Sequence, residues 1–130
     1  MKILNRLIIT IIFFSLFTSC AEEELNQRDY PTLYTLEITD ITNSGAIFNA
    51  EIRYRGEFKI LQYGFIWSQR DIMTLNTPNI IKYTDDTREM EFNYEITTGL
   101  NVNTTYLVRA YIVTEDYTVF GNVMEFRTGF

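Results

Sequence analysis

The sequence predicts an all-β protein, a seven-stranded antiparallel β-sandwich occupying residues 30–130. Three observations carry that expectation. Apolar residues recur at every second position from Tyr30 onward, the period of a half-buried strand, and no stretch after the N-terminal segment has helical spacing. Nine Tyr, ten Phe and one Trp supply bulky side chains that pack well on a pleated surface. Turn-forming clusters divide the alternating stretches into short strands, the pattern of a sandwich. The length of 130 residues suits one domain, and an apolar content of 46% is enough for a packed core.

The strands follow in order. The first is expected over Thr32–Ile38, entered through Pro31, and Asn43-Ser44-Gly45 makes the turn that follows it. In the second, Ala46–Arg55, the residues Ala46, Phe48, Ala50 and Ile52 share an inward face while Asn49, Glu51 and Arg53 point to solvent. The third, Leu61–Ser68, places Tyr63, Phe65 and Trp67 in the core. A short fourth strand runs over Asn79–Tyr83 and closes at Asp85-Asp86. The fifth, Glu89–Thr97, alternates Met90, Phe92, Tyr94 and Ile96 with Glu91, Asn93 and Glu95. The sixth, Thr105–Thr114, turns Tyr106, Val108, Ala110 and Ile112 inward. The seventh, Thr118–Thr128, turns Met124 and Phe126 inward and forms a sheet edge that could template a partner strand. Trp67, Phe65, Tyr106, Phe48 and Phe126 are the expected structural core, with Trp67 and Tyr106 near its centre.

Three stretches carry a family resemblance. Gly99-Leu100-Asn101-Val102-Asn103-Thr104-Thr105-Tyr106-Leu107-Val108-Arg109-Ala110-Tyr111 resembles the E–F corner and F strand of fibronectin type III domains. Tyr106 falls at the tyrosine-corner position, where a hydroxyl bonds the backbone just upstream. Val102 stands where such domains commonly carry proline. Gln62-Tyr63-Gly64-Phe65-Ile66-Trp67-Ser68 and Phe120-Gly121-Asn122-Val123-Met124-Glu125-Phe126-Arg127-Thr128 are similar to strands of a fibronectin III-like family of lipoproteins of the Bacteroidota. Ordinary fibronectin III modules carry their core Trp on the second strand, whereas Trp67 lies on the third. The resemblance covers about residues 31–128 and implies a fibronectin type III or immunoglobulin-like sandwich.

The N-terminal segment has its own logic. Lys2 and Arg6 precede the apolar run Leu7–Phe17, which at 11 residues is too short to span a bilayer and suits a signal peptide over residues 1–19. Phe17-Thr18-Ser19-Cys20 resembles the bacterial lipobox, with Phe17 in place of the usual Leu. That resemblance implies that the Cys20 thiol takes a diacylglycerol and that Cys20 becomes the first mature residue, attached to the membrane through its acyl chains. Glu22, Glu23 and Glu24 follow at once and resemble the surface-export signal of Bacteroidota lipoproteins. Residues 20–29 are then a lipidated cysteine and an acidic linker, and the expected location is the outer membrane, facing the cell exterior, with the periplasmic face as the alternative.

Composition narrows the function. Losing residues 1–19 removes Lys2 and Arg6, taking eleven basic residues to nine against seventeen acidic ones, so the mature chain is near −8. Such a charge repels a phosphate backbone and argues against nucleic acid as partner. With one Cys and no His, an internal disulfide, Cys/His metal sites and Ser-His-Asp or Cys-His catalysis are excluded. No cofactor or metal is expected. The carboxylate pairs Asp85-Asp86 and Glu115-Asp116 fall at turns, where acidic residues are common without catalysis. Tyr34, Tyr54, Tyr111, Tyr117 and Phe120 fall on outward or loop positions. Their rings could stack on sugar faces, meet a protein, or pair across strands. The expectation is a non-catalytic membrane-anchored binding or adhesion module for glycan or protein. The alternative is a structural subunit that holds a partner at the outer membrane.

Overall fold

A computed structural model describes residues 30–71 and 74–130. The expected signal segment 1–19, Cys20 and Glu22 to Glu24 lie outside the described residues. Eight strands form: β1 (Thr32–Thr35), β2 (Ala46–Tyr54), β3 (Ile60–Ser68), β4 (Ile80–Tyr83), β5 (Glu91–Ile96), β6 (Thr105–Thr114), β7 (Thr118–Phe120) and β8 (Met124–Arg127), with no helix among the described residues.

Every pairing is antiparallel. One sheet has the order β1-β2-β5, and the other β4-β3-β6-β7 with β8 also on β6. The two pack as an immunoglobulin-like sandwich of the fibronectin type III kind, in which β4 pairs with β3 and not with β5. The expected alternation on β2 and β6 is met. Ala46, Phe48, Ala50 and Ile52 are buried from one sheet, Tyr106, Val108, Ala110 and Ile112 from the other. Phe48 is the hub, its ring 5.5–5.8 Å from those of Trp67, Phe126 and Phe65 and 6.4 Å from Tyr94. Each fully buried side chain of this size contributes roughly 1.5–3 kcal/mol.

The tyrosine corner forms as expected. The Asn101 N–H donates to the Tyr106 hydroxyl at 2.9 Å, and the Tyr106 ring stacks on Phe126. Asn103 takes a positive φ of 49° in this turn, a conformation Asn tolerates better than most residues.

Several expectations need correction. The last strand is two strands, because the chain leaves β6 at Gly121-Asn122-Val123 to dock on β1. The Asn122 side chain accepts from the Thr35 N–H (2.9 Å) and donates to the Thr35 carbonyl (3.0 Å), standing in for a neighbouring strand. In the gap, the Ala110 carbonyl accepts from Gly121 N–H, and the Ala110 N–H donates to the Thr35 hydroxyl at 2.9 Å. Gly121 is needed here, since a Cβ would lie 2.7 Å from the Thr35 hydroxyl oxygen. Ladder pairing of the first strand stops at Thr35; beyond it the Leu36 N–H still donates to the Asn49 carbonyl at 2.8 Å, and Thr39 bridges to Ile47. Met90 is 43% exposed and outside β5, contributing only its carbonyl to the Ile52 N–H. Trp67 is half-buried near the end of β3, packed on Phe48 and Tyr94, so the centre belongs to Phe48.

Candidate functional site

The two sheets present very different outer faces. On β4-β3-β6-β7 that face is sealed by the chain itself. Ile66 and Tyr111 are fully buried there beneath Leu75, Ile80, Leu107, Val113 and Phe120. Tyr111, expected among the exposed aromatics, is therefore not available to a ligand. Alternation put it on the correct side of β6, but a second apolar layer covers that side. Its ring lies across Gly64, its register partner, where an added Cβ would come within 3.5 Å of the ring and 2.0 Å from the Ile81 carbonyl oxygen. The Tyr111 hydroxyl donates to that carbonyl at 3.1 Å and accepts from the Gln62 amide at 2.8 Å. Burial pushes the Tyr111 pKa above its ordinary value. Phe120 is half-buried beside it, with the Arg109 guanidinium 4.7 Å over its ring. Arg109 donates twice to the Gly121 carbonyl, and burial lowers its pKa.

The outer face of β1-β2-β5 is open and hydrophilic. A cleft of about 530 Å³ runs across it, lined by Glu37, Thr39, Asn49, Glu89, Glu91 and Asn93 among others. Register creates the floor: Asn49 pairs with Asn93 and Glu51 with Glu91, so two amides and then two carboxylates sit side by side. The Asn49 amide nitrogen is held by the Glu37 carbonyl (3.0 Å) and the Thr39 hydroxyl (3.1 Å). Its own oxygen, the Asn93 amide and the carboxylates of Glu37, Glu89 and Glu91 have no partner among the described residues. Tyr34 extends this face. It is 38% exposed, opposite Glu51, with the Arg53 guanidinium 4.4 Å over its ring and Arg53 in turn bonded to Glu51 at 3.2 Å. Chemically the face offers unbonded oxygen acceptors and one fixed aromatic ring.

The remaining aromatics go elsewhere. Tyr54 is half-buried at the end of β2 opposite Thr32. Tyr117, in the β6–β7 hairpin, packs against Tyr30 (5.6 Å) and edge-on against Phe58 (5.4 Å). The five ring residues that alternation marks as outward thus fall at separate places, and only Tyr34 lies on the open face of β1-β2-β5, outside the lining of the cleft. The amides Asn49 and Asn93 were not singled out. Their juxtaposition depends on β2–β5 register, and the alternation marked them only as polar.

Of the acidic turn pairs, Asp85-Asp86 is engaged structurally, while Glu115 and Asp116 are exposed. Asp86 binds the Arg55 guanidinium and accepts from the Ile60 N–H at 3.1 Å, tying the loop after β4 to the start of β3. Asp85 accepts from the Tyr63 hydroxyl at 3.0 Å. Burial, and then that bond, raise the Tyr63 pKa.

Fold and open face together define a fibronectin III-like sandwich with one open polar face. No protein-family model matches the sequence, and no curated protein matches it. Solved structures do. The sensor domain of the anti-sigma factor RsgI4 in Pseudobacteroides cellulosolvens aligns with a TM-score of 0.56 at 12% identity, over 76% of this chain and 94% of that one. A structure described as a myokine aligns with a TM-score of 0.51 at 12% identity, over 78% and 98%. At these identities the likeness shows a shared fold.

Proposed function

We propose that this chain is a non-catalytic lipoprotein, anchored through Cys20 to the outer membrane and displayed on the cell surface, whose domain recognises a neutral glycan or a protein. The observation that carries the recognition reading is the asymmetry of the two outer faces. One is sealed by Tyr111, Ile66 and their cover, while the other keeps Asn49, Asn93, Glu37 and Glu91 with unbonded acceptors on the face that also carries Tyr34. Paired amides and carboxylates suit the vicinal hydroxyls of a sugar, and an aromatic ring suits its apolar face. The excess of carboxylates disfavours an anionic ligand. One structural neighbour is a sensor domain of an anti-sigma factor, a role consistent with recognition without chemistry. The lipobox-like Phe17-Thr18-Ser19-Cys20 and the run Glu22-Glu23-Glu24 support anchoring and export.

The test has two arms. Protease shaving of intact cells, with Cys20→Ser and a variant lacking Glu22 to Glu24 as controls, should digest the domain while periplasmic markers survive. The purified domain should bind members of a neutral glycan and protein panel, with binding lost in Asn49→Ala and Asn93→Ala variants that melt like the wild type. Protection from shaving, with a membrane complex co-purifying in detergent, would replace this reading with that of a structural subunit.

A further inference from the structure

The strand directions gather the chain entry and three loops at one end of the domain. The chain enters at Tyr30, and the strand directions place three other segments at the same end: the β2–β3 loop (55–59), the β4–β5 loop (84–90) and the β6–β7 hairpin (115–117). At that pole Tyr30, Phe58 and Tyr117 form one aromatic cluster, with Tyr117 36% exposed. Glu57, Lys59, Glu115 and Asp116 flank it as exposed charges of both signs. The opposite pole carries the β1–β2 turn and the Tyr106 corner.

Magnitudes make the orientation one-sided. Ten residue steps separate Cys20 from Tyr30. Fully extended they reach at most roughly 33 Å. The sandwich is itself about 33 Å long, the length of the ten-residue β6. Only the maximum reach of this segment could bring the opposite pole to the lipid, whereas any shorter path keeps the aromatic pole the nearer one. The Tyr30 and Tyr117 rings suit the membrane interface, where the body of a tyrosine is apolar and its hydroxyl wet, and Phe58 adds apolar area beside Tyr117. Three of the four flanking charges are acidic, which disfavours an anionic surface and leaves a zwitterionic one as the partner.

We infer that the Tyr30–Phe58–Tyr117 pole docks on the headgroup layer of the membrane that holds the acyl chains, so that the domain stands upright with the Tyr106 corner outermost. This rests on the anchoring reading given above. Tethering acts as a high local concentration, so weak contacts suffice.

The experiment uses the full lipidated chain in phosphatidylcholine nanodiscs carrying a headgroup spin-labelled lipid. Since Cys20 is acylated, a single fluorophore can be placed through Glu57→Cys at the aromatic pole or Val102→Cys at the other. Quenching at position 57 should exceed that at 102 at least three-fold, and Tyr117→Ser should at least halve it while leaving co-flotation with lipid unchanged. Equal or reversed quenching in a chain that floats with lipid overturns the orientation and leaves the anchoring reading intact. Full quenching in Tyr117→Ser overturns the aromatic seating. A chain that does not float, with Cys20 unmodified by mass spectrometry, overturns both readings.

Discussion

Replacing Thr35 by Val tests the seam that closes the broken edge of the larger sheet. Thr35 is 3% exposed and Ala110 is fully buried, so water does not reach the bond between the Ala110 N–H and the Thr35 hydroxyl. Valine fills nearly the same volume and keeps the β propensity, but it removes the acceptor. The Ala110 N–H faces the gap between β7 and β8, where no strand offers a substitute carbonyl. A buried donor left unsatisfied costs about 1–3 kcal/mol. For a domain of about 100 residues that lowers Tm by roughly 4–20 °C. Calorimetry of the wild type, Thr35→Val and the exposed control Thr118→Val measures it. A Thr35→Val melt within a degree of the wild type, with Thr118→Val equally unaffected, would refute the reasoning and mean that the seam does not bear on stability.

Phe48→Ala should cost about 3–5 kcal/mol, the range for deleting a large core aromatic, and more than Trp67→Ala, whose ring is half-buried; urea midpoints with equal m-values would show the order. Tyr106→Phe should cost about 0.5–1.5 kcal/mol by removing the acceptor of the Asn101 N–H in a part-buried bond, read from the same titrations. Gly64→Ala should fail to fold or unfold well below the wild type, because its Cβ would lie 2.0 Å from the Ile81 carbonyl oxygen, as circular dichroism melts would report. Tyr63, Tyr83 and Tyr111 all have pKa values raised by burial, so the folded state holds their protons longer than the unfolded state does. Their stabilisation is fully present below the ordinary tyrosine value of about 10 and is lost as pH rises through the folded values. Denaturation between pH 8 and 11 should show that fall, and Tyr111→Phe should make it shallower.

Much of the architecture was legible because one physical rule governs it. Alternation on Ala46–Ile52 and Tyr106–Ile112 marks a face that must leave water, and both faces are buried as expected. The tyrosine corner was legible from Gly99 to Tyr111 because a local turn and one hydroxyl suffice to make it. Alternation says which side of a strand a residue occupies, and nothing about what covers that side. Tyr111 was misplaced for this reason: its cover comes from Leu75 and Ile80, more than thirty residues away in sequence, and from Phe120 on the neighbouring strand. The break in the last strand was hidden likewise, since Asn122 leaves the ladder for Thr35, 87 positions earlier.

By itself the sequence determined the strand faces, the corner at Tyr106, the net acidity and the absence of imidazole chemistry, because these depend on residue type and local period. The tertiary structure alone decided that Asn49 lies beside Asn93, that one outer face is sealed and the other open, and that Tyr30, Phe58 and Tyr117 meet at one pole. Each of those requires chain segments distant in sequence to be brought into register, and register is set by how two sheets bury their apolar faces together.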